Sequence, residues 1–374
     1  MNKKKILTII LIILFIGFVA ERINTNKSDV YEEQNKISIK KNKNMLSMNL
    51  EQTAGAGDYK TVTQSSWPTE GYEFNAELSK CENGSTLSWD DTKKAIIVSG
   101  NLSDKCYVYF DIWIPPSIAE YVKSQYTGTQ GDNALYYHNS TLTNGAGDNS
   151  YRYAGASDSV NNYICLGSDK ATCPDANLFR IIGVFGDQTK VIRAKSVGDK
   201  AWHSSTSSDN TWSSSSLNTY LNGTYLTSLG TLADKIATTT WKVGGESSTY
   251  LYDVPTTAYQ YEVGSSASTT TYEAKIGLMY ASDYGFAASS SAWTTKLSSY
   301  SSNTSKNWLY LGSYEWTISR NSGTATDAFD VTSTGSVNYC TVTAGFAARP
   351  SFNLESSVKY VSGSGTIENP IRIN

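Results

Sequence analysis

Histidine is nearly missing from this chain: His138 and His203 are the only two among 374 residues. Neither lies in a G-x-S-x-G context, so a hydrolase triad has little to build on. Both are expected as exposed surface or loop residues. The five cysteines contain no C-x2-C knuckle, which removes the usual zinc frameworks, and no metal or cofactor is expected. Gly145-Ala146-Gly147 lacks the Gly-Lys-Ser/Thr ending of a phosphate loop, and the dinucleotide fingerprint fails as well. Asp148 and Asp158 show no calcium-loop spacing and read as part of a solvated turn. A basic stripe is also missing. The formal net charge is -3, and because Lys3, Lys4 and Lys5 supply three positive charges the remainder carries -6. That balance excludes nucleic acid as a partner. No carboxylate pair is nominated for glycosidase chemistry, and the chain is not expected to be an enzyme.

What is present begins with an export signal. Met1-Asn2-Lys3-Lys4-Lys5 precedes an apolar run from Ile6 to Ala20, which gives way to Glu21-Arg22 and a polar tract. As a helix this run is about 22 Å long, short of a hydrocarbon core of roughly 30 Å. Phe18-Val19-Ala20 is a poor small-x-small cleavage site, so residues 1–22 read as a signal anchor or a signal peptide. Either form exports the body of the protein, membrane-tethered with its C-terminus outside or released. The cysteines agree with export: Cys81 with Cys106 and Cys165 with Cys173 form two close sequence pairs, and Cys340 stands alone. Oxidised, the first pair is worth roughly 3 to 4 kcal/mol in the chain-entropy model and the second somewhat less.

Along the chain, residues 23–50 are polar, without sustained periodicity, and read as a stalk. Residues 51–112 hold a hairpin candidate, Leu87 to Trp89 and Ala95 to Val98 around Asp90-Asp91, and a strand from Cys106 to Ile112. They form a small β module. Residues 113–149 read as a connector, in which Ser117-Ile118-Ala119-Glu120 opens a short helix with a capping box. A main domain follows over 150–374. Its expected elements are a hairpin around Gly186-Asp187-Gln188, a helix from Ser214 ending at Asn222-Gly223, and a second short helix through Leu229, Leu232 and Ile236. A buried strand from Lys275 to Tyr280 and a turn at Asp283 to Phe286 complete the set. This mixture is α+β.

One stretch differs from the rest. Between the strand-like piece Tyr314 to Ile318 and the alternating Arg349-Pro350-Ser351-Phe352-Asn353-Leu354, residues 321–348 contain no Lys, Glu, Gln, Met or Trp. Short side chains with Tyr, Phe, Asn and Asp suit a ligand-contacting surface. The same alphabet also describes a Ser/Thr-rich β meander.

The ordered set WSSSSLNTYL (212–221), KIGLMYASDYGF (275–286), WTISR (316–320) and GFAARPSFNL (345–354) resembles an uncharacterised family of bacterial surface domains. That family is similar in fold to the C-type lectin and formylglycine-generating, sulfatase-modifying group. The resemblance covers roughly residues 150–374 and implies a C-type-lectin-like domain, preceded by the disulfide-tied all-β module and the N-terminal hydrophobic anchor. Residues 51–112 resemble a module that precedes such domains in exported proteins. By that resemblance Trp316 and Arg320 mark one framework strand, and Arg349, Pro350, Phe352 and Leu354 the last. Arg349 lies between apolar residues and requires a partner if buried, for which Glu315 is the candidate. Neither a Glu-Pro-Asn-like loop nor a Trp-Asn-Asp strand occurs in the domain, so calcium-dependent sugar binding is not implied. Cys340 alone does not supply the paired cysteines of copper-thiolate oxidation.

The permissive stretch also resembles the variable segment of lectin-fold proteins diversified by retroelements. Its exposed contacts are then Asn321, Asp327, Phe329, Asp330, Thr332, Ser336, Asn338, Tyr339, Cys340, Thr341 and Thr343. The leading expectation is an exported surface protein that binds an unidentified extracellular protein or glycan and meets the membrane through residues 6–20. The competing expectation is a structural envelope or pilin-like component without a small ligand.

Overall fold

The computed structural model describes residues 46–374 except 64, 65, 69 and 102. The expected anchor at 6–20 and the stalk through residue 45 lie outside the described residues. Among the described residues no helix is long and apolar enough to cross a membrane. The chain divides into two compact units, the first closing at Ile114 and the second spanning Pro115–Asn374. The architecture is α+β, with sheets predominating.

In the first unit β1 (Leu46–Glu51), β2 (Tyr59–Val62), β3 (Tyr72–Cys81) and β6 (Cys106–Ile112) make a sheet in the order β2-β1-β6-β3, while β4 (Thr86–Asp90) and β5 (Ala95–Ser99) form the expected hairpin. Alternation along β6 places Val108 and Phe110 in the core, against Met48 and Leu50 of β1. Strand β1 corrects the expected stalk, whose last residues run parallel to β6 with Met48 opposite Val108 and Leu50 opposite Phe110. Its period-two pattern was masked by the Lys/Asn-rich run before it. Cys81 and Cys106 lie directly opposite one another on β3 and β6 and are disulfide-bonded.

The second unit starts earlier than the expected 150. Helix Ile118–Ser124 carries the capping box, with Glu120 N donating to Ser117 Oγ (3.1 Å) and Ser117 N donating to Glu120 Oε2 (2.7 Å). It buries Ile118, Ala119 and Val122 in the main core, and Ile118 N donates to Val358 O. Residues 115–149 therefore belong to the domain and are no connector: a helix with a single apolar face requires a surface to bury it against.

Nine strands form the larger sheet. They are β7 (Leu135–Tyr137), β8 (Tyr151–Tyr153), β9 (Tyr163–Cys165), β10 (Leu178–Phe185), β11 (Gln188–Arg193), β15 (Ile276–Gly277), β20 (Ser351–Leu354), β21 (Tyr360–Ser362) and β22 (Ile371–Ile373), in the main order β15-β20-β11-β10-β9-β22-β21. The hairpin β10–β11 turns at Gly186, whose φ of 64° is left-handed and suits glycine. Strand β22 runs parallel to β9, close to the Cys165–Cys173 disulfide. A five-stranded sheet has the order β12-β19-β16-β17-β18, comprising β12 (Asp199–Ala201), β19 (Gly345–Ala347), β16 (Glu315–Arg320), β17 (Asp327–Val331) and β18 (Val337–Thr341). Strands β13 (Thr239–Lys242) and β14 (Thr271–Ala274) pair separately.

Two helical expectations change. Asn222-Gly223 does not end the helix that starts at Ser216; the chain continues through a π-turn, Leu221–Tyr225. The Asn222 side chain instead clamps Ile276, donating to its carbonyl (2.8 Å) and accepting from its N–H (2.9 Å). The expected turn at Asp283 to Phe286 is the helix Ala281–Phe286. Its first N–H groups are satisfied by Glu262, which accepts from Ala281 N and Ser282 N at 2.9 Å each, and by Asp283, which accepts from Tyr280 N at 2.9 Å.

Candidate functional site

The framework residues meet as follows. Arg349 and Glu315 are both buried, with Arg349 Nε donating to Glu315 Oε1 (2.6 Å) and Nη2 to Oε2 (2.8 Å). The remaining Nη2 hydrogen reaches Leu309 O at 2.5 Å. This two-pronged pairing satisfies a desolvated carboxylate. Trp316 is buried and donates its indole N–H to Lys200 O (2.8 Å). Arg320 is half-buried and donates to Gly244 O (2.7 Å), and Pro350 accepts from Arg193 N. Asn210, which the sequence did not nominate, holds the β16–β17 turn by donating to the carbonyls of Asn321, Thr324 and Asp327.

The expected contact residues divide sharply. Asn321, Phe329, Asp330 and Thr332 are buried, which corrects their assignment as exposed contacts. Strand β17 lies between β16 and β18, so its interior positions are covered. Phe329 sits against the rings of Tyr252 and Tyr339. Asn321 and Thr332 serve turns, accepting from Gly323 N and Ser336 N. Asp327, Ser336 and Cys340 are half-buried, and burial raises the free Cys340 thiol. Asn338, Tyr339, Thr341 and Thr343 are exposed. Tyr339 stacks on Tyr252 with centroids 5.8 Å apart, and the Tyr252 hydroxyl donates to Asn338 Oδ1 at 2.6 Å. Tyr252 stands 86 residues before Asn338 in sequence, too far for any local pattern to associate them.

Asp330 is the anomaly of this sheet. It is 1% exposed, and neither carboxylate oxygen has a hydrogen-bond partner among the described residues. Burial pushes its carboxyl up to about 7.

Both histidines are buried, against expectation. His138 packs on Phe286 and Trp293 and accepts from Ala146 N through Nδ1 (3.0 Å); burial depresses its basicity well below normal. His203 Nδ1 lies 3.0 Å from Ser205 Oγ, and Nε2 lies 3.7 Å from Asp209. Asp209 is already engaged by Thr211 N and Ser214 Oγ at 2.8 Å each, so this trio stabilises its own loop.

A second group of charges lies in the interior. Asp148, expected in a solvated turn, accepts from Arg152 Nη2 (2.6 Å) and from Ser150 Oγ (2.6 Å). Burial alone would raise its carboxyl, but Arg152 and Ser150 bring it down to about 2. Asp158 remains exposed. Lys190 Nζ lies 2.5 Å from Asp283 Oδ2, and Arg152 Nη1 is 3.5 Å from Asp283 Oδ1. Glu262, also buried, accepts from the Ser319 hydroxyl besides its two backbone donors.

A polar cavity of about 340 Å³ opens beside Tyr121, Gln125, Asn133, Tyr153 and Asn161. Asn133 and Ala134 adopt left-handed φ values of 54° and 57° there, a conformation that costs a non-glycine residue on the order of 1 kcal/mol.

A family described as a domain of unknown function (DUF6273) matches residues 186–356. The match holds β16 to β18, both framework strands, Lys190, Glu262 and Asp283, and excludes the first unit. No curated protein and no solved structure matches the chain.

Proposed function

We propose that this chain is an exported surface protein, tethered through residues 6–20, whose C-type-lectin-like second unit binds an extracellular protein or glycan on the exposed side of β18. The observation that carries this reading is the Tyr252–Tyr339 stack, with Tyr339 37% exposed on a paired strand among the accessible hydroxyl and amide groups of Asn338, Thr341 and Thr343. Such a rigid ring offers contact area at little entropic cost, and the small polar neighbours supply adaptable hydrogen bonds. Two disulfides support an oxidising compartment. The lectin-like reading is supported by the way the domain's two ends meet, with Tyr360 N donating to Pro116 O and β22 pairing with β9. Diversification by a retroelement is restricted in this reading to the exposed positions, since Phe329 and Asp330 are buried in the sheet and meet no ligand.

Retention on a glycan array and on a panel of immobilised extracellular proteins tests the proposal. Wild type is retained, and Tyr339→Ala and Thr341→Lys are not. Equal retention of wild type and both variants, or a chain that assembles into oligomers and is retained by nothing, contradicts it in favour of the structural envelope role.

A further inference from the structure

The Lys190–Asp283 contact holds every atom required for an amide. Lys190 lies on β11, between β20 and β10 of the larger sheet, and Asp283 on the first turn of helix Ala281–Phe286; they are separated by 93 residues and are 5% and 3% exposed. The ammonium is enclosed by aromatic rings: Nζ is 4.5 Å from the Tyr280 centroid, 5.4 Å from Trp241 and 5.9 Å from Phe185. Water is thus largely excluded from a primary amine held against a carboxyl group. We propose that Lys190 and Asp283 condense spontaneously after folding to form an intramolecular isopeptide bond that ties β11 to the helix Ala281–Phe286.

The contacts divide the tasks between the two carboxyl oxygens. Oδ2, 2.5 Å from Nζ, receives two protons from the ammonium and departs as water. The nitrogen lone pair first forms the new bond to Cγ, giving a tetrahedral intermediate; the Cγ–Oδ2 bond then breaks, and one proton stays on the amide nitrogen. Oδ1 becomes the amide oxygen, and the Arg152 guanidinium at 3.5 Å faces the negative charge that gathers on it in the tetrahedral intermediate. The reaction neither oxidises nor reduces anything and needs no co-reactant. Permanent juxtaposition in a folded interior supplies effective concentrations of roughly 10⁵ M or more when the geometry is right. A lysine desolvated among apolar groups is also a better nucleophile, because its amine form is favoured. Burial lowers the basicity of Lys190, in keeping with this.

The surrounding charges suit the step. Arg152 is balanced by Asp148, so it can serve Asp283 without leaving a second cation uncompensated. Glu262 is bonded to the N–H groups of Ala281 and Ser282, immediately before Asp283. Burial raises its carboxyl, against the lowering effects of Ser319, Ser282 and Ala281. Its oxygens are taken up by these backbone and hydroxyl donors, so Lys190 has Asp283 as its hydrogen-bonded carboxyl partner. The product would be a neutral amide in place of two buried ions, which removes their desolvation cost. This inference does not rest on the ligand-binding reading, because the bonds of Lys190 and Asp283 are to each other, Arg152 and Tyr280 N rather than to β18, and either a binder or an envelope component can carry it.

The test is the mass of the full chain, folded and then reduced and denatured, together with a peptide map. The expected wild-type mass is lower by one water than the sequence requires, with a branched peptide joining the segments around Lys190 and Asp283. Lys190→Arg, which keeps a cation beside Asp283, is expected at the full sequence mass, with a circular dichroism spectrum like that of wild type. If Lys190→Arg fails to fold, the wild-type measurement decides alone. A wild-type chain of full sequence mass, with the two peptides recovered separately, overturns the proposal and leaves the pair as a buried ion pair.

Discussion

Glu315 and Asp330 lie on neighbouring strands of one sheet, β16 and β17, and each is 1% exposed. Glu315 receives two bonds from Arg349, whereas Asp330 receives none among the described residues. The same sheet therefore holds one carboxylate as structure and another as a source of instability. The difference follows from position. Glu315 faces Arg349 near the return of the chain into β20, where the framework strands converge, while Asp330 is opposite Asn338 on the way to the exposed strand β18. The well-satisfied side of the sheet is the framework, and the unsatisfied side borders the proposed binding face.

Breaking the satisfied side should have the largest effect. Arg349→Leu strands a buried carboxylate and is expected to cost about 3 to 5 kcal/mol in urea unfolding, with much of the loss recovered in Glu315→Leu/Arg349→Leu. A single variant no less stable than wild type would remove the framework role. Relieving the unsatisfied side should act in the opposite direction. Because the folded-state pKa of Asp330 is raised from 3.8 to about 7, its favourable contribution is full below about pH 4 and is lost as the pH rises through 7. Asp330→Asn is thus expected to stabilise the protein by about 4 kcal/mol at pH 8 and to change little at pH 4. Melting curves at the two pH values decide, and an equal effect at both would refute the assignment. Smallest is Tyr339→Ala, which loses one partly exposed stack on Tyr252 and is expected to cost about 0.5 to 1 kcal/mol in the same unfolding assay. A loss several times larger would place Tyr339 with the framework.

Several parts of the fold are legible in the sequence because their signals are local or chemically unambiguous. The capping box at Ser117 and Glu120, the hairpin at Gly186-Asp187 and the two cysteine pairs each lie within a short stretch. A guanidinium between apolar residues announces its need for a carboxylate, and Glu315 supplies it. What stayed hidden depends on distant partners. The residues of helix Ala281–Phe286 read as a turn in sequence because Glu262, which caps the helix, is nineteen residues away from Ala281. Burial of His138 is invisible in the sequence because nothing near it foretells Phe286 and Trp293. Four of the eleven expected contacts, Asn321, Phe329, Asp330 and Thr332, are buried for a related reason. Phe329 and Asp330 belong to the same Phe-, Tyr-, Asn- and Asp-bearing stretch as β18, and alternation along β17 cannot reveal that strands lie on both of its sides.

The most direct measurement compares Tyr339→Ala with wild type for retention on the same arrayed glycans and immobilised extracellular proteins, at a temperature where both are folded by circular dichroism. Exposure of the ring on β18 predicts that retention falls at least tenfold while the spectra coincide. Retention of the folded variant at the wild-type level would contradict the assignment of β18 as the binding face.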